Sequence, residues 1–207
     1  VIALLSAYPE ALMKQDSNGN LPLHEMLQQG PSDPKEYMAI FDHLVGNYPQ
    51  TGEYEGHACG AAVKNNDGKL PLHLIRPFCP LKCCQELFKL YPNATTTHSL
   101  AKYLPLYDAI TSHVPTSCLE VLAQPREAVV NACSYSAEHL VFSLRGWDEE
   151  RLGFVENLFP DCVHAKSASS DGRATLLLMA ACYYPLEVTR RIYEANGSVI
   201  KDPNKLR

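Results

Sequence analysis

Apolar residues in this chain recur three and four positions apart, in runs of roughly ten residues that each stop near a proline, which is the spacing of helices with one buried face. The runs are Met38, Phe41, Leu44, Val45 and Tyr48; then Leu87, Leu90 and Tyr91 after Cys83 and Cys84; then Leu119 and Leu122; then Leu152, Val155, Leu158 and Phe159. The stops are aromatic–proline pairs: Tyr8-Pro9, Tyr48-Pro49, Tyr91-Pro92 and Phe159-Pro160, with Gln124-Pro125 a degenerate copy. Proline cannot continue a helix and restrains the residue before it, so each pair marks a helix end.

A second pattern interleaves with the first. Leu21-Pro22-Leu23-His24 returns as Leu70-Pro71-Leu72-His73 and, more weakly, as Leu104-Pro105-Leu106-Tyr107. The two strong copies follow an Asx-Gly turn, Asn18-Gly19-Asn20 and Asp67-Gly68-Lys69. Proline suits the first turn of a helix, where its missing N–H has no partner to lose, and glycine supplies the left-handed backbone of the turn. Segment end and following proline keep a nearly fixed distance, 19 residues from His73 to Pro92 and 18 from Tyr107 to Pro125. A motif that recurs with its flanks predicts a repeat array.

Each repeat therefore holds a short helix opened by the motif, a tight connection and a second helix closed by the aromatic–proline pair. Helix pairs are expected near 21–48, 70–91, 104–123, 137–159 and 174–195, after an unpaired helix over 1–8. The corresponding units run near 1–20 (partial), 21–49, 70–92, 104–125, 137–160 and 174–196. Asp33, Thr116 and Asp148 are expected N-caps, with Pro34 in a first helical turn. Thr51 to Ala61 reads as an insertion, and repeat arrays carry insertions on one face, often the one that meets a partner. The chain opens on Val1, and neither end has an evident polar cap, which reads as a portion of a longer or processed protein.

These residues resemble the ankyrin repeat family, in a divergent branch with Tyr-Pro-ended units like those of algae and protists. The family has an Asx-Gly finger, a Thr-Pro-Leu-His-like opening to an inner helix, and an outer helix. Asn18 to His24 and Asp67 to His73 match closely, while Asp171-Gly172-Arg173 with the following apolar run matches without Pro or His. The resemblance implies an all-α, ankyrin-like helical repeat solenoid of about five helix pairs over 1–207. In the family, the threonine and histidine of the motif tie neighbouring units. Leu21 and Leu70 stand where that threonine would be, so His24 and His73 are expected as satisfied interior groups whose partners are open.

Charge and chemistry narrow the function classes. The net charge is −5 with both signs scattered, so no basic stripe for nucleic acid stands out. The apolar runs are too short to span a bilayer. Eight cysteines without a C-x-x-C or a regular framework read as reduced thiols of an intracellular, cytoplasmic protein. Asp16 to Glu25 lacks the glycine and glutamate registers of a calcium loop. His57 and Cys59 with Cys79, Cys83 and Cys84 fit zinc spacing only loosely, and buried thiols on a second helix explain Cys83 and Cys84 more simply. No nucleophile elbow, phosphate loop or dinucleotide glycine pattern occurs.

The expectation is a non-enzymatic protein–protein interaction module that uses a concave face, with no cofactor, metal or nucleic acid. The alternative is a permanent structural or assembly subunit of a large complex. Expected contact residues are Asn18, Asn20, Asn66, Asp67, Lys69, Asp171 and Arg173 on the fingers, Tyr54, Glu55 and His57 in the insertion, and Trp147 in a connecting loop.

Overall fold

The computed structural model describes residues 2–30, 33–47, 60–133, 149–159, 186–187 and 189–190. Among the described residues all regular elements are helices, in keeping with the all-α expectation. Where the sequence pattern suggests one run over 1–207, the backbone clusters into two compact bodies, Val1–Ala132 and Cys133–Arg207.

The first body opens with the lone helix α1 (Ile2–Ala7), which stops before Tyr8-Pro9. Helices α2 (Pro22–Gln28) and α3 (Pro34–Asn47) form the next pair. Asp33 caps α3 as expected: its carboxylate accepts the Lys35 N–H at 2.9 Å, and Pro34 fills the first helical position. Helix α4 (Leu81–Leu90) ends at Tyr91-Pro92. Helices α5 (Pro105–Thr111) and α6 (Thr116–Leu122) form the third pair, followed by α7 (Arg126–Ala132). In the second body, α8 (Glu149–Leu158) ends just before Phe159. The expected cap Asp148 and most of the pairs expected at 137–159 and 174–195 lie outside the described residues.

Three details differ from the sequence reading. Thr116 is not a cap but the first residue of α6, because Pro115 holds the cap position with an extended backbone and its carbonyl accepts the Cys118 and Leu119 N–H groups. The second Leu-Pro-Leu-His segment makes one 3-10 turn, Pro71–Leu74, rather than a full helix. Ile75 already leaves helical geometry with ψ of 133°, and Pro77 pushes Arg76 toward extended backbone, so the turn cannot propagate. Finally, 3-10 turns at Pro9–Met13, Gly60–Ala62 and Pro92–Thr96 were not anticipated. Each ends three residues before a finger and buries side chains against the body: Leu12 in the first, Ala61 in the second, and Ala94 with Thr95 in the third. Gly60 and Ala61, expected as the end of the insertion, belong to this recurring frame; 51–59 lie outside the described residues.

The core of the first body runs along the chain order. α2 lies against the Pro71–Leu74 turn, that turn against α5, and α4 against α6. Leu23, Leu27, Phe41, Leu44, Leu72, Ile75, Leu87, Leu106 and Ile110 are fully enclosed between these elements. Each contributes roughly 2 kcal/mol by leaving water.

Candidate functional site

Three turns with one geometry form a row of polar fingers on the first body. In each, a side-chain oxygen accepts the backbone N–H four residues on: Asp16 from Asn20 at 2.8 Å, Asn65 from Lys69 at 2.9 Å, and Ser99 from Tyr103 at 3.2 Å. The backbone closes the same loop, with Asp16 N–H donating to the Asn20 carbonyl, Asn65 to Lys69 and Ser99 to Tyr103. The fourth residue is left-handed in every case, at φ of 75° for Gly19, 70° for Gly68 and 62° for Lys102. Only the first two use glycine, so the third finger carries no Asx-Gly signal in the sequence.

The fingers are joined to one another by main chain. Asn66 N–H donates to the Asn18 carbonyl at 2.9 Å, and Leu100 N–H donates to the Asp67 carbonyl at 2.9 Å. The approach is close enough that a Cβ on Gly19 would lie 2.7 Å from the Asn66 nitrogen, and one on Gly68 2.9 Å from the Leu100 nitrogen. Side chains add a parallel rail. Gln15 Nε2 donates to the Lys64 carbonyl at 2.9 Å, and Lys64 Nζ to the His98 carbonyl at 3.3 Å.

The two motif histidines lock this surface to the inner helices. His24 and His73 are fully buried. Nδ1 of each accepts the N–H of its own segment's first leucine, Leu21 or Leu70, at 3.1 Å. This is the backward half of a capping box, with histidine in place of the usual glutamate or glutamine. Nε2 of His24 faces the Lys69 carbonyl, and Nε2 of His73 the Tyr103 carbonyl, each at 3.2 Å. An N–H donor on one nitrogen and a carbonyl on the other define the neutral tautomer with the proton on Nε2. Burial lowers both pKa values, that of His73 to about 4, because a second ring proton would be stranded from water and opposed to a backbone N–H.

Between the first two fingers and the inner segments lies a polar groove of about 310 Å³. Five of the expected contact residues line it: Asn18, Asn20, Asn66, Asp67 and Lys69. They are not equivalent. Asn18, Asn66 and Asp67 are exposed. Asn20 is only 6% exposed, and its carboxamide links Glu25 Oε1 at 2.7 Å to the Asn65 amide at 2.9 Å, so it braces the groove from inside. Lys69 is committed to Asp108 Oδ1 at 2.9 Å. The other Asp108 oxygen is buried without a hydrogen-bond partner, and burial raises that carboxyl's pKa despite Lys69. Gln28, Asn65, Leu74 and Arg76 also line the groove and were missed. Asn65 was legible as the counterpart of Asp16, four residues before Lys69; Arg76 follows His73 by three and sends Nη1 to Ser112 Oγ at 2.7 Å. Tyr54, Glu55, His57, Trp147, Asp171 and Arg173 lie outside the described residues.

The described thiols of the first body face inward. Cys79, Cys83, Cys84 and Cys118 are buried and carry no disulfide. Cys79 Sγ lies 3.3 Å from the Tyr37 hydroxyl, and Cys83 Sγ 3.9 Å from Met38 Sδ. Burial pushes the Cys83 thiol up to about 12 and also raises Cys79; the hydrogen bond with Cys118 and burial raise Cys84. The same hydrogen bond lowers the pKa of Cys118, whereas Cys79, Cys83 and Cys84 are packed, protonated groups and poor nucleophiles at neutral pH. Among the described residues no three His, Cys, Asp or Glu side chains gather at metal-binding range, and no helix is long and apolar enough to cross a membrane.

No protein-family model, curated protein or solved structure matches this chain.

Proposed function

We propose that this chain is a protein–protein interaction module, built as an ankyrin-like solenoid of helix pairs, that binds a partner protein along its fingers and inner helices without catalysis. The observation that carries the reading is the groove between fingers whose backbones are hydrogen-bonded to each other before any partner arrives. A frame fixed in advance leaves little ordering entropy to be lost on binding. Asn18, Asn66 and Asp67 offer donors and acceptors at its rim, and Arg76 adds a cation inside. Leu100, the third finger's counterpart of Asn66, extends this polar rim with an apolar side chain that is 74% exposed. Four buried thiols without a disulfide support a reducing, intracellular setting.

The test is crosslinking with mass spectrometry in native extract, comparing the wild-type chain with Asp67→Lys. That substitution changes an exposed finger tip and leaves the backbone rung to Leu100 in place. A partner crosslinked near Asn18 and Asn66 in the wild type, and at least about tenfold depleted in the variant, is expected for a rim charge facing a complementary surface. Crosslinks confined to other faces and unchanged by the variant overturn the reading. The alternative, a permanent assembly subunit, draws on the exposed apolar Leu4 and Tyr8 of the α1 end. A soluble monomer in size-exclusion chromatography rejects it, because a permanent subunit exposes a large apolar patch when isolated.

A further inference from the structure

A second groove, of about 410 Å³, is lined by α2 and α3 together with Leu5 of α1. Its walls include Leu5, Pro22, Met26 and Ile40. What belongs in it can be read from the other copies of the same positions. Pro22 corresponds to Pro71 and Pro105, and Met26 to Ile75 and Ala109, by their distance from the opening leucine. Ile40 corresponds to Cys83 and Cys118: each immediately precedes a buried pair spaced by three, Phe41 and Leu44, Cys84 and Leu87, Leu119 and Leu122. In the second and third copies all of these positions are buried, because an earlier inner segment or second helix covers them. In the first copy Pro22, Met26 and Ile40 are only half-buried.

The charges at the rim restrict the occupant. Glu25, Asp33 and Glu36 line this groove, and among the described residues no lysine or arginine does. A second copy docked face to face would set these carboxylates against each other, which is unfavourable by Coulomb's law. We propose that this groove docks a short amphipathic helix of a partner protein, about two turns long like α2 and α5, with an apolar stripe for Met26 and Ile40 and lysine or arginine beside it for the acidic rim. The inference rests on the repeat reading of the fold and is independent of the finger groove.

The experiment uses the full chain and two fluorescein-labelled, helix-stapled peptides. Both carry leucine at every third or fourth position; one is flanked by lysine and the other by glutamate. Fluorescence polarisation is expected to give saturable binding of the lysine peptide and at least about tenfold weaker binding of the glutamate peptide. Ile40→Asp should weaken the lysine peptide by at least about tenfold, and the milder Met26→Gln should weaken it several-fold, with circular dichroism checking that both variants fold. Hydrogen exchange should slow in α2 and α3 on binding. Asp67→Lys should leave the affinity unchanged, which separates this groove from the finger surface. The inference fails if the lysine peptide does not bind, if both peptides bind alike, or if binding tracks Asp67→Lys and ignores Ile40→Asp. It also fails if the chain is a dimer that Ile40→Asp dissociates, since a second copy would then be the occupant.

Discussion

Leu21–His24 and Leu70–His73 have the same four residues and make the same hydrogen bonds, yet one opens a seven-residue α-helix and the other a four-residue 3-10 turn. In both, the histidine accepts its own segment's leading N–H and reaches a carbonyl at the end of the next finger. Helix length is set downstream, by Met26, Leu27 and Gln28 in the first copy and by Pro77 in the second. The motif thus specifies how a segment begins and what it is tied to, and leaves its extent to the residues that follow. Packing tolerates the difference because the same faces are covered in both: Leu23 and Leu72 are fully buried, as are His24 and His73.

The strongest way to break this comparison is to remove the shared bonds. His73→Ala leaves the Leu70 N–H and the Tyr103 carbonyl buried without that partner and opens a cavity, a loss of roughly 4 kcal/mol in urea unfolding. His24→Ala should cost the same within about 1 kcal/mol, since its two bonds have the same lengths. A His73→Ala variant that loses far less than His24→Ala would show that the short copy does not depend on its histidine.

Acid offers a milder route to the same bonds. The folded pKa of His73 lies near 4, below its ordinary 6.5, so the unfolded chain binds the proton more readily. Stability from this group is complete above the ordinary value, falls as pH drops from 6.5 toward 4, and reaches a loss of roughly 3 kcal/mol below that. Burial shifts His24 in the same direction. Urea midpoints over that window should fall more steeply for the wild type than for His73→Gln, which has no proton to gain there. Parallel slopes would show that the ring is not held neutral by its surroundings.

The smallest effects compare the fingers. Gly68→Ala places a Cβ at φ of 70° and 2.9 Å from the Leu100 nitrogen, and should cost roughly 2 kcal/mol. Lys102→Gly relieves the left-handed strain of the third finger and should gain up to about 1 kcal/mol, less the entropy of a freer unfolded chain. Opposite signs in the two melting temperatures would establish that the fingers share one backbone shape despite different sequences.

Much of the frame was legible because it is local. Apolar spacing placed α3, α4, α6 and α8, the Tyr8-Pro9 stop marked the end of α1, the Leu-Pro-Leu segments opened α2 and α5, Asp33 announced its cap, and Asx-Gly marked two fingers. The third finger was hidden because Ser99 and Lys102 reproduce with a hydroxyl and a strained backbone what Asn65 and Gly68 do with a carboxamide and no side chain. Two of the 3-10 turns begin at Pro9 and Pro92, prolines read as helix ends, but a proline that stops one helix can also start the next. At the candidate site, residue type identified Asn18, Asn66 and Asp67 as finger tips. It could not distinguish Asn20, which is enclosed by Glu25 and Asn65, since that difference arises from a contact 45 residues away.

The rungs that reach the third residue of a finger, Asn66 to Asn18 and Leu100 to Asp67, each join one peptide group to another. The third residue of each finger, Asn18, Asp67 and Ala101, therefore contributes its carbonyl or its place in the turn whatever its side chain happens to be. Such positions behave like type set in a fixed tray: the letters can be exchanged while the line stays straight. An amide, a carboxylate and a methyl already occupy the three places, so a new recognition surface could be written on this scaffold without asking the fold to be solved again.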